Sequence, residues 1–95
     1  ILIMTIENQD IYKIAAHHRF QWEEAQQSHV ILFPEGMVKL NGSAGEVLSL
    51  VNGKNSVDQI VASLKEKFKG VDGIEKDILS MIQFAFDKAW IEKAN

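Results

Sequence analysis

The chain has 95 residues, of which 46% are hydrophobic and 24% charged, and its formal net charge at pH 7 is −3. A chain of this length holds one hydrophobic core, and its composition is ordinary for a soluble globular protein without a membrane-spanning segment. The absence of cysteine excludes disulfides, thiolate nucleophiles and sulfur-ligated metal sites. The single arginine and scattered lysines argue against nucleic acid as a partner.

The first 16 residues show no clear hydrophobic period, so we interpret them as a poorly defined N-terminal arm that precedes one domain at residues 17–95. Met4 is the expected natural start, and residues 1–3 are then a remnant without function. The short apolar opening lacks a basic leader and soon meets Glu7 and Asp10, which is not the pattern of a secretory signal. A cytoplasmic location is therefore expected.

Three strands are predicted after the arm. Residues 18–23 alternate apolar and polar side chains, which places Phe20 and Trp22 on the inward face. Residues 29–33 are apolar from Val30 onward and are predicted to form the central strand.

A turn and an edge strand follow. Pro34 has no N–H for a strand ladder, and Gly36 tolerates the positive φ that a tight turn requires. The third strand is predicted at residues 37–40, at the edge of the sheet, with Val38 and Leu40 sharing one face.

Two capping signals predict the first pair of helices. Ser43 with Glu46 forms one capping box, for a helix that Gly53 ends. Ser56 with Gln59 forms the second box, for a helix that ends before Gly70. Strands followed by helices predict an α+β fold, here a small winged-helix-like domain with a three-stranded antiparallel sheet and three helices.

The third helix is predicted from Asp72, as N-cap, to about Ala89. Its apolar stripe on the core side is predicted to contain Ile74, Ile78, Met81, Ile82, Ala85 and Ala89. Leu79, Phe86 and Trp90 lie together to one side of that stripe. This helix therefore has more apolar surface than a single contact needs.

Sites for chemistry are not evident in the sequence. His17, His18 and His29 have neither acidic nor cysteine partners at metal-ligand spacing, so surface or turn positions suit them better than a metal site. The serines lack the glycines of a nucleophile elbow, and the glycines lack the spacing of a phosphate-binding loop. Neither a cofactor nor enzyme activity is expected.

A binding surface is the remaining interpretation. The edge of the third strand offers backbone N–H and C=O groups to an extended peptide, and Leu79, Phe86 and Trp90 would supply apolar pockets beside it. The alternative is that these three side chains cover the N-terminal arm or seal a homodimer. The residues by themselves leave both readings open.

Four segments carry a resemblance to a known family. They are Phe20–Glu23, Val30–Asn41 with its Pro-Glu-Gly-Met-Val-Lys-Leu-Asn core, the helix around Val47–Leu50, and Trp90-Ile91. Together these segments, which span about residues 17–92, resemble pyrroloquinoline quinone biosynthesis protein D. Glu23 and Asn52 stand where aspartate is frequent in that family.

The resemblance implies a noncatalytic peptide chaperone with a small winged-helix-like fold. Members of this family bind the ribosomally made precursor peptide of pyrroloquinoline quinone and present it to a radical S-adenosylmethionine enzyme. The family's peptide lies between the third strand and the third helix. Carried over by position, the strand edge is Met37, Val38, Lys39 and Leu40, and the helical wall is Leu79, Gln83, Phe86 and Trp90.

Two other functions fit parts of the sequence. A winged-helix DNA-binding regulator would share the architecture, but Glu75, Asp77 and Asp87 would give its third helix no net positive charge. A homodimeric adaptor could occupy the same strand edge with a second copy.

Overall fold

The computed structural model describes residues 5–95, so the expectations for Met4 and residues 1–3 lie outside the described residues. The fold is α+β, as predicted, and in the described part of the chain no helix is long and apolar enough to cross a bilayer. The elements in chain order are β1 (Tyr12–Ile14), β2 (Arg19–Glu23), β3 (Ser28–Phe33), β4 (Gly36–Lys39), α1 (Gly42–Leu48), α2 (Val57–Lys67), α3 (Ile74–Asp87) and β5 (Ile91–Lys93).

The three predicted strands form an antiparallel sheet in the order β2-β3-β4, each within one residue of its expected bounds. Phe20, Ile31 and Val38 lie opposite one another across the sheet and contribute to the core. The central strand carries Val30 and Ile31, which are both fully buried. Because β3 has neighbours on both sides, β4 is left at one edge of the sheet.

Trp22 departs from its predicted environment. It shares a face with Phe20, as the alternation of β2 requires, but its side chain is 50% exposed because it lies near the end of the sheet. The indole Nε1 donates to Glu24 Oε2 at 2.9 Å, and the ring packs edge-on against His29. Trp22 therefore lies on the predicted face of the strand, but it is not buried there.

A second sheet, absent from the sequence prediction, joins the two ends of the chain. In it β1 and β5 pair antiparallel, with Tyr12 opposite Lys93 and Ile14 opposite Ile91. The N-terminal arm thus contains a strand. Three-residue strands are too short to show a hydrophobic period, and their pairing joins residues about 80 positions apart.

Helix α1 has a different N-cap from the one predicted. The backbone N–H of Ala44 donates to Asn41 Oδ1 at 2.8 Å, and the Ser43 hydroxyl donates to the same oxygen at 3.1 Å. Asn41 is therefore the N-cap, and the predicted Ser43–Glu46 capping box is wrong. The helix also ends at Leu48, earlier than expected, although Gly53 does adopt a positive φ of 79° in the following turn.

The capping box of α2 is confirmed. Ser56 Oγ accepts from the backbone N–H of Gln59 at 3.2 Å, and Gln59 Oε1 accepts from the backbone N–H of Ser56 at 2.8 Å. The N-terminal arm completes this helix end, because Val57 N donates to the Asp10 carbonyl at 2.8 Å and Asp58 N donates to the Asn8 carbonyl at 2.9 Å. Donors that helices normally leave without a partner are thus satisfied by the arm.

Helix α3 begins after Gly73, whose φ of 73° favours glycine, and it has no side-chain cap. The prediction of Asp72 as N-cap is therefore wrong. The helix ends at Asp87 rather than near Ala89, because Ala89 adopts a positive φ of 62° that redirects the chain into β5.

Helix α1 lies close to β3 through Gly45. A Cβ at this position would stand 2.7 Å from His29 Nδ1, so a larger residue would displace the His29 ring or the helix. The His29 ring in turn stacks on Phe20, with centroids 4.8 Å apart. His29 is thus a packing residue between helix and sheet. The hydrophobic core contains Leu48, Ile60 and Ile82, each 1% exposed or less.

Candidate functional site

The outer edge of β4 exposes a defined set of backbone groups. The N–H of Leu40 donates inward to the carbonyl of His29 at 2.9 Å. Because the direction of these groups alternates along an antiparallel strand, Val38 also points its N–H and C=O toward β3, whereas Met37 and Lys39 point theirs outward. The edge therefore presents two pairs of donors and acceptors to an added strand.

The side chains of β4 alternate between the two faces of the sheet. Val38 and Leu40 point toward the helices, and Leu40 is only 5% exposed. Met37 and Lys39 point to the other face, where both side chains are exposed. A strand added beside β4 would alternate in the same way and present every second side chain to the helical side.

An apolar pocket lies beyond the end of β4, where its first lining residue is Asn41. Its volume is about 810 Å³, and it lies between the start of α1, the end of α2 and one side of α3. Helix α1 and the preceding residue contribute Asn41, Gly42, Ser43, Ala44, Glu46 and Val47, the end of α2 and the following loop contribute Leu64, Phe68 and Val71, and α3 contributes Ile74, Asp77, Ile78, Ser80, Met81 and Phe84. We refer to the six residues that α3 contributes as the groove wall of α3.

The exposed aromatic side chain in this wall is held in place by its neighbours. Phe84 is 47% exposed, packs edge-on against Trp90 with ring centroids 5.5 Å apart, and lies 5.5 Å from the ammonium of Lys88. Two of the fifteen lining residues are charged, Asp77 and Glu46, and Glu46 pairs with Lys67 at 2.6 Å. The pocket is suited to apolar side chains rather than to acid-base chemistry.

The structure divides the predicted site residues into two groups. Met37, Val38, Lys39 and Leu40 lie together at the sheet edge, as expected. Leu79, Gln83 and Phe86 project from the side of α3 nearly opposite Met81 and Phe84, since successive residues are about 100° apart around a helix. The expected wall of Leu79, Gln83, Phe86 and Trp90 therefore does not line the pocket.

The other side of α3 contacts the N-terminal arm. Gln83 is 2% exposed, and its Oε1 accepts from the backbone N–H of Thr5 at 2.7 Å and of Ile6 at 3.3 Å. Its Nε2 donates to Asp87 Oδ1 at 2.9 Å, so the amide is well satisfied. Phe86 packs edge-on against Tyr12, with ring centroids 5.5 Å apart.

Trp90 is likewise a core residue, 8% exposed, whose backbone N–H donates to the Ala85 carbonyl at 2.9 Å. Its indole packs edge-on against the ring of Phe84 and does not line the pocket. The sequence pattern places Met81 in the core stripe and predicts no role for Phe84. The i, i+3 spacing of Met81 and Phe84, on the same face of the helix as Ile74, could have indicated this wall from the sequence.

A buried carboxylate ties the arm to the ribbon of β1 and β5. Asp10, 4% exposed, accepts from the Glu7 N–H at 3.0 Å and from the Tyr12 hydroxyl at 3.0 Å, and it pairs with Lys93 at 3.2 Å. Burial by itself raises the pKa of Asp10, but these partners outweigh it and hold the pKa below 3.8. Burial and the bond to Asp10 raise the pKa of Tyr12. This cluster is a charged anchor for the arm.

The histidines do not come together as a metal site. Within residues 5–95 no group of three or more potential ligands is placed to hold an ion. His18 Nδ1 lies 2.8 Å from the Ala16 carbonyl and its ring packs near Phe33, while His17 occupies a turn with a φ of 64°.

Known proteins are similar to this chain in sequence. The family model for coenzyme PQQ synthesis protein D (PqqD) matches residues 28–91. A PqqA binding protein of Azotobacter vinelandii is 51% identical over 83 residues, which cover 87% of this chain and 90% of the relative. A PqqA binding protein of Pseudomonas aeruginosa is 57% identical over 74 residues, which cover 78% and 80%.

A solved structure resembles the whole described fold. It is the solution NMR structure of the PqqD truncation of Methylobacterium extorquens PqqCD, described as a functional and stand-alone recognition element for ribosomally synthesized and post-translationally modified peptides. The TM-score is 0.74 at 31% sequence identity, and the match covers 94% of this chain and 96% of that one.

Proposed function

Because the chain belongs to the coenzyme PQQ synthesis protein D family, we propose that it binds a PqqA-type precursor peptide and presents it to a modifying enzyme. The observation that carries this proposal is the open edge of β4, with the outward backbone groups of Met37 and Lys39, beside an apolar pocket. The peptide adds as a further strand to the sheet. The relatives are named for this binding.

The two parts of the site make different contributions. Backbone hydrogen bonds at Met37 and Lys39 align the peptide without regard to its sequence, and the pocket selects the side chains that point toward α3. Binding orders a flexible peptide, so the apolar anchors must offset that entropic cost.

For the helical wall we propose Met81 and Phe84, in place of the four residues inferred from sequence. The strand residues of the original prediction stay in the proposal. Val38 and Leu40 support the edge from within, and Met37 and Lys39 pair with the peptide.

The protein acts as a noncatalytic chaperone in the cytoplasm, and the enzyme that receives the peptide is a radical S-adenosylmethionine enzyme. A second copy of the chain would compete for the β4 edge, so dimerisation and delivery exclude each other at that surface. No described feature favours the DNA-binding alternative, since α3 directs its apolar wall, not a basic face, to the pocket.

The test is a titration of the isotopically labelled protein with the synthetic PqqA peptide of Pseudomonas aeruginosa, followed by backbone amide resonances. Shifts are expected at residues 37–41 and at Met81 and Phe84. Shifts confined to Leu79, Gln83 and Phe86 would contradict the proposed wall. An absence of shifts with folded protein would contradict peptide binding itself.

A proline substitution isolates the backbone contribution. Met37→Pro removes an outward N–H that no strand of the sheet uses, so the fold is retained, whereas Val38→Pro would remove an inward bond to β3. Met37→Pro is expected to weaken peptide binding at least about tenfold, which is roughly 1.4 kcal/mol. Met37→Leu is the matched control, because it keeps the N–H and an apolar side chain, and circular dichroism checks both folds.

A further inference from the structure

The side chain of Lys39 projects from the edge strand toward the outer face of the sheet, away from the pocket. It is exposed and makes no ion pair with any acidic side chain in residues 5–95. On the same face its strand neighbours are Val30 across β3 and Met37 two residues earlier. Lys39 therefore brings a positive charge without a counter-ion to the edge where a peptide would add.

The backbone of Lys39 fixes what its side chain would face. Its N–H and C=O point outward, so in an antiparallel added strand Lys39 and the peptide residue opposite it form a hydrogen-bonded pair. Side chains in such a pair lie on the same face with Cβ atoms about 5 Å apart. The same peptide residue would thus accept from the Lys39 N–H, donate its own N–H to the Lys39 carbonyl, and place its side chain beside the ammonium.

Charge selects among the occupants of this edge. Opposite charges across a strand pair stabilise it, and like charges directly opposite destabilise it. A second copy of β4 would bring another Lys39 to the edge, whereas a carboxylate would find a partner there. The charge of Lys39 thus favours an acidic peptide strand over self-pairing.

We propose that Lys39 is a specificity-determining residue, which selects a peptide with an Asp or Glu directly opposite it on the outer face of the sheet. This inference rests on the proposed function and extends it to the sequence of the ligand. The next peptide residue, opposite Val38, points toward the helical side, and the one after it lies beside the apolar side chain of Met37. The recognised pattern is an acidic residue followed by two apolar ones.

The experiment uses the synthetic PqqA peptide of Pseudomonas aeruginosa and a set of variants in which each acidic residue is replaced in turn by its amide. Affinities are measured for the wild type and for Lys39→Gln, with Lys54→Gln as the matched control at an exposed lysine in the loop before α2. One amide substitution is expected to weaken binding to the wild type about two- to fivefold, as is typical of a cross-strand charge pair. With Lys39→Gln the same substitution is expected to have no further effect.

Charge reversal gives the second readout. Lys39→Glu is expected to bind the native peptide more weakly than Lys39→Gln, and a peptide with lysine at the identified position is expected to recover the loss. Losses that multiply independently for every acidic position would overturn the role of Lys39. A peptide that does not bind the folded wild type at all would contradict the proposed function, which keeps the two failures distinct.

Discussion

The two sides of α3 are both apolar, yet they have different partners. One side, with Gln83 and Phe86, contacts Thr5 and Tyr12 of the chain's own N-terminal arm. The other side, with Met81 and Phe84, lines a pocket of about 810 Å³ that also includes Asn41, two residues after β4. Apolar residues on a helix thus indicate a contact without identifying the partner, and the path of the arm decides which side remains available to a ligand.

The polar groups on the two sides of α3 explain why the N-terminal arm packs against the side that carries Gln83. Gln83 is buried and offers an acceptor to two backbone N–H groups of the arm, so that side satisfies polar backbone as well as apolar surface. The groove wall has no such buried acceptor among its members, and its exposed ring at Phe84 is suited to apolar side chains. Substitutions on the arm side are therefore expected to lower stability, and loss of the exposed ring on the pocket side is expected to lower peptide affinity.

The largest effect is expected from Trp90→Ala. Trp90 is buried and supports Phe84, so its truncation leaves a cavity and should lower the free energy of unfolding by about 3–5 kcal/mol. Urea denaturation measures the loss. A variant of unchanged stability that no longer binds peptide would restore Trp90 to the binding surface, as the sequence predicted.

Asp10→Asn is expected to remove charge-assisted bonds at the anchor of the arm and to cost about 1.5–3 kcal/mol at neutral pH. The folded-state pKa of Asp10 lies below the ordinary value of 3.8. The contribution of Asp10 to stability is therefore complete above about pH 3.8, and it is lost as the pH falls through the folded-state pKa. Denaturation over a pH series should show the wild type and variant converging in acid. A constant difference down to about pH 2 would contradict this assignment.

Gln83→Leu is expected to cost about 1–3 kcal/mol, because it leaves the backbone N–H groups of Thr5 and Ile6 without their acceptor while it keeps the buried volume. Amide hydrogen exchange should rise in residues 5–10. Peptide affinity of the folded variant should remain that of the wild type. A selective loss of affinity would instead place Gln83 in the binding site.

The smallest effect on stability is expected from Phe84→Ser, about 1 kcal/mol, because the ring is half exposed. Its effect on binding should be the opposite, with peptide affinity at least about tenfold weaker, since an apolar anchor of the pocket is lost. Phe86→Ser is the matched control on the arm side, where stability should fall and affinity should not. Calorimetric titration and denaturation of both variants test this crossed pattern, and equal losses of affinity would refute it.

Local signals predicted much of the fold. The alternation in β2, the apolar run of β3 and the Pro-Glu-Gly turn before β4 were sufficient to locate the sheet, because they depend on residues that are close in the sequence. The Ser56–Gln59 capping box was found for the same reason. Where a second polar residue could perform the same task, as Asn41 does for Ser43, the local signal chose the wrong cap.

By itself, the sequence determined the order of β2, β3, β4 and the three helices, the open strand edge at Met37–Lys39 and the excess of apolar surface on α3, because periodicity and turn chemistry are local properties. The pairing of β1 with β5, the anchoring of the arm on Gln83 and Asp10, and the choice of Phe84 over Phe86 for the pocket were decided only by the tertiary structure. Each of these features joins segments that are distant in the chain, and no pattern within either segment specifies the partner.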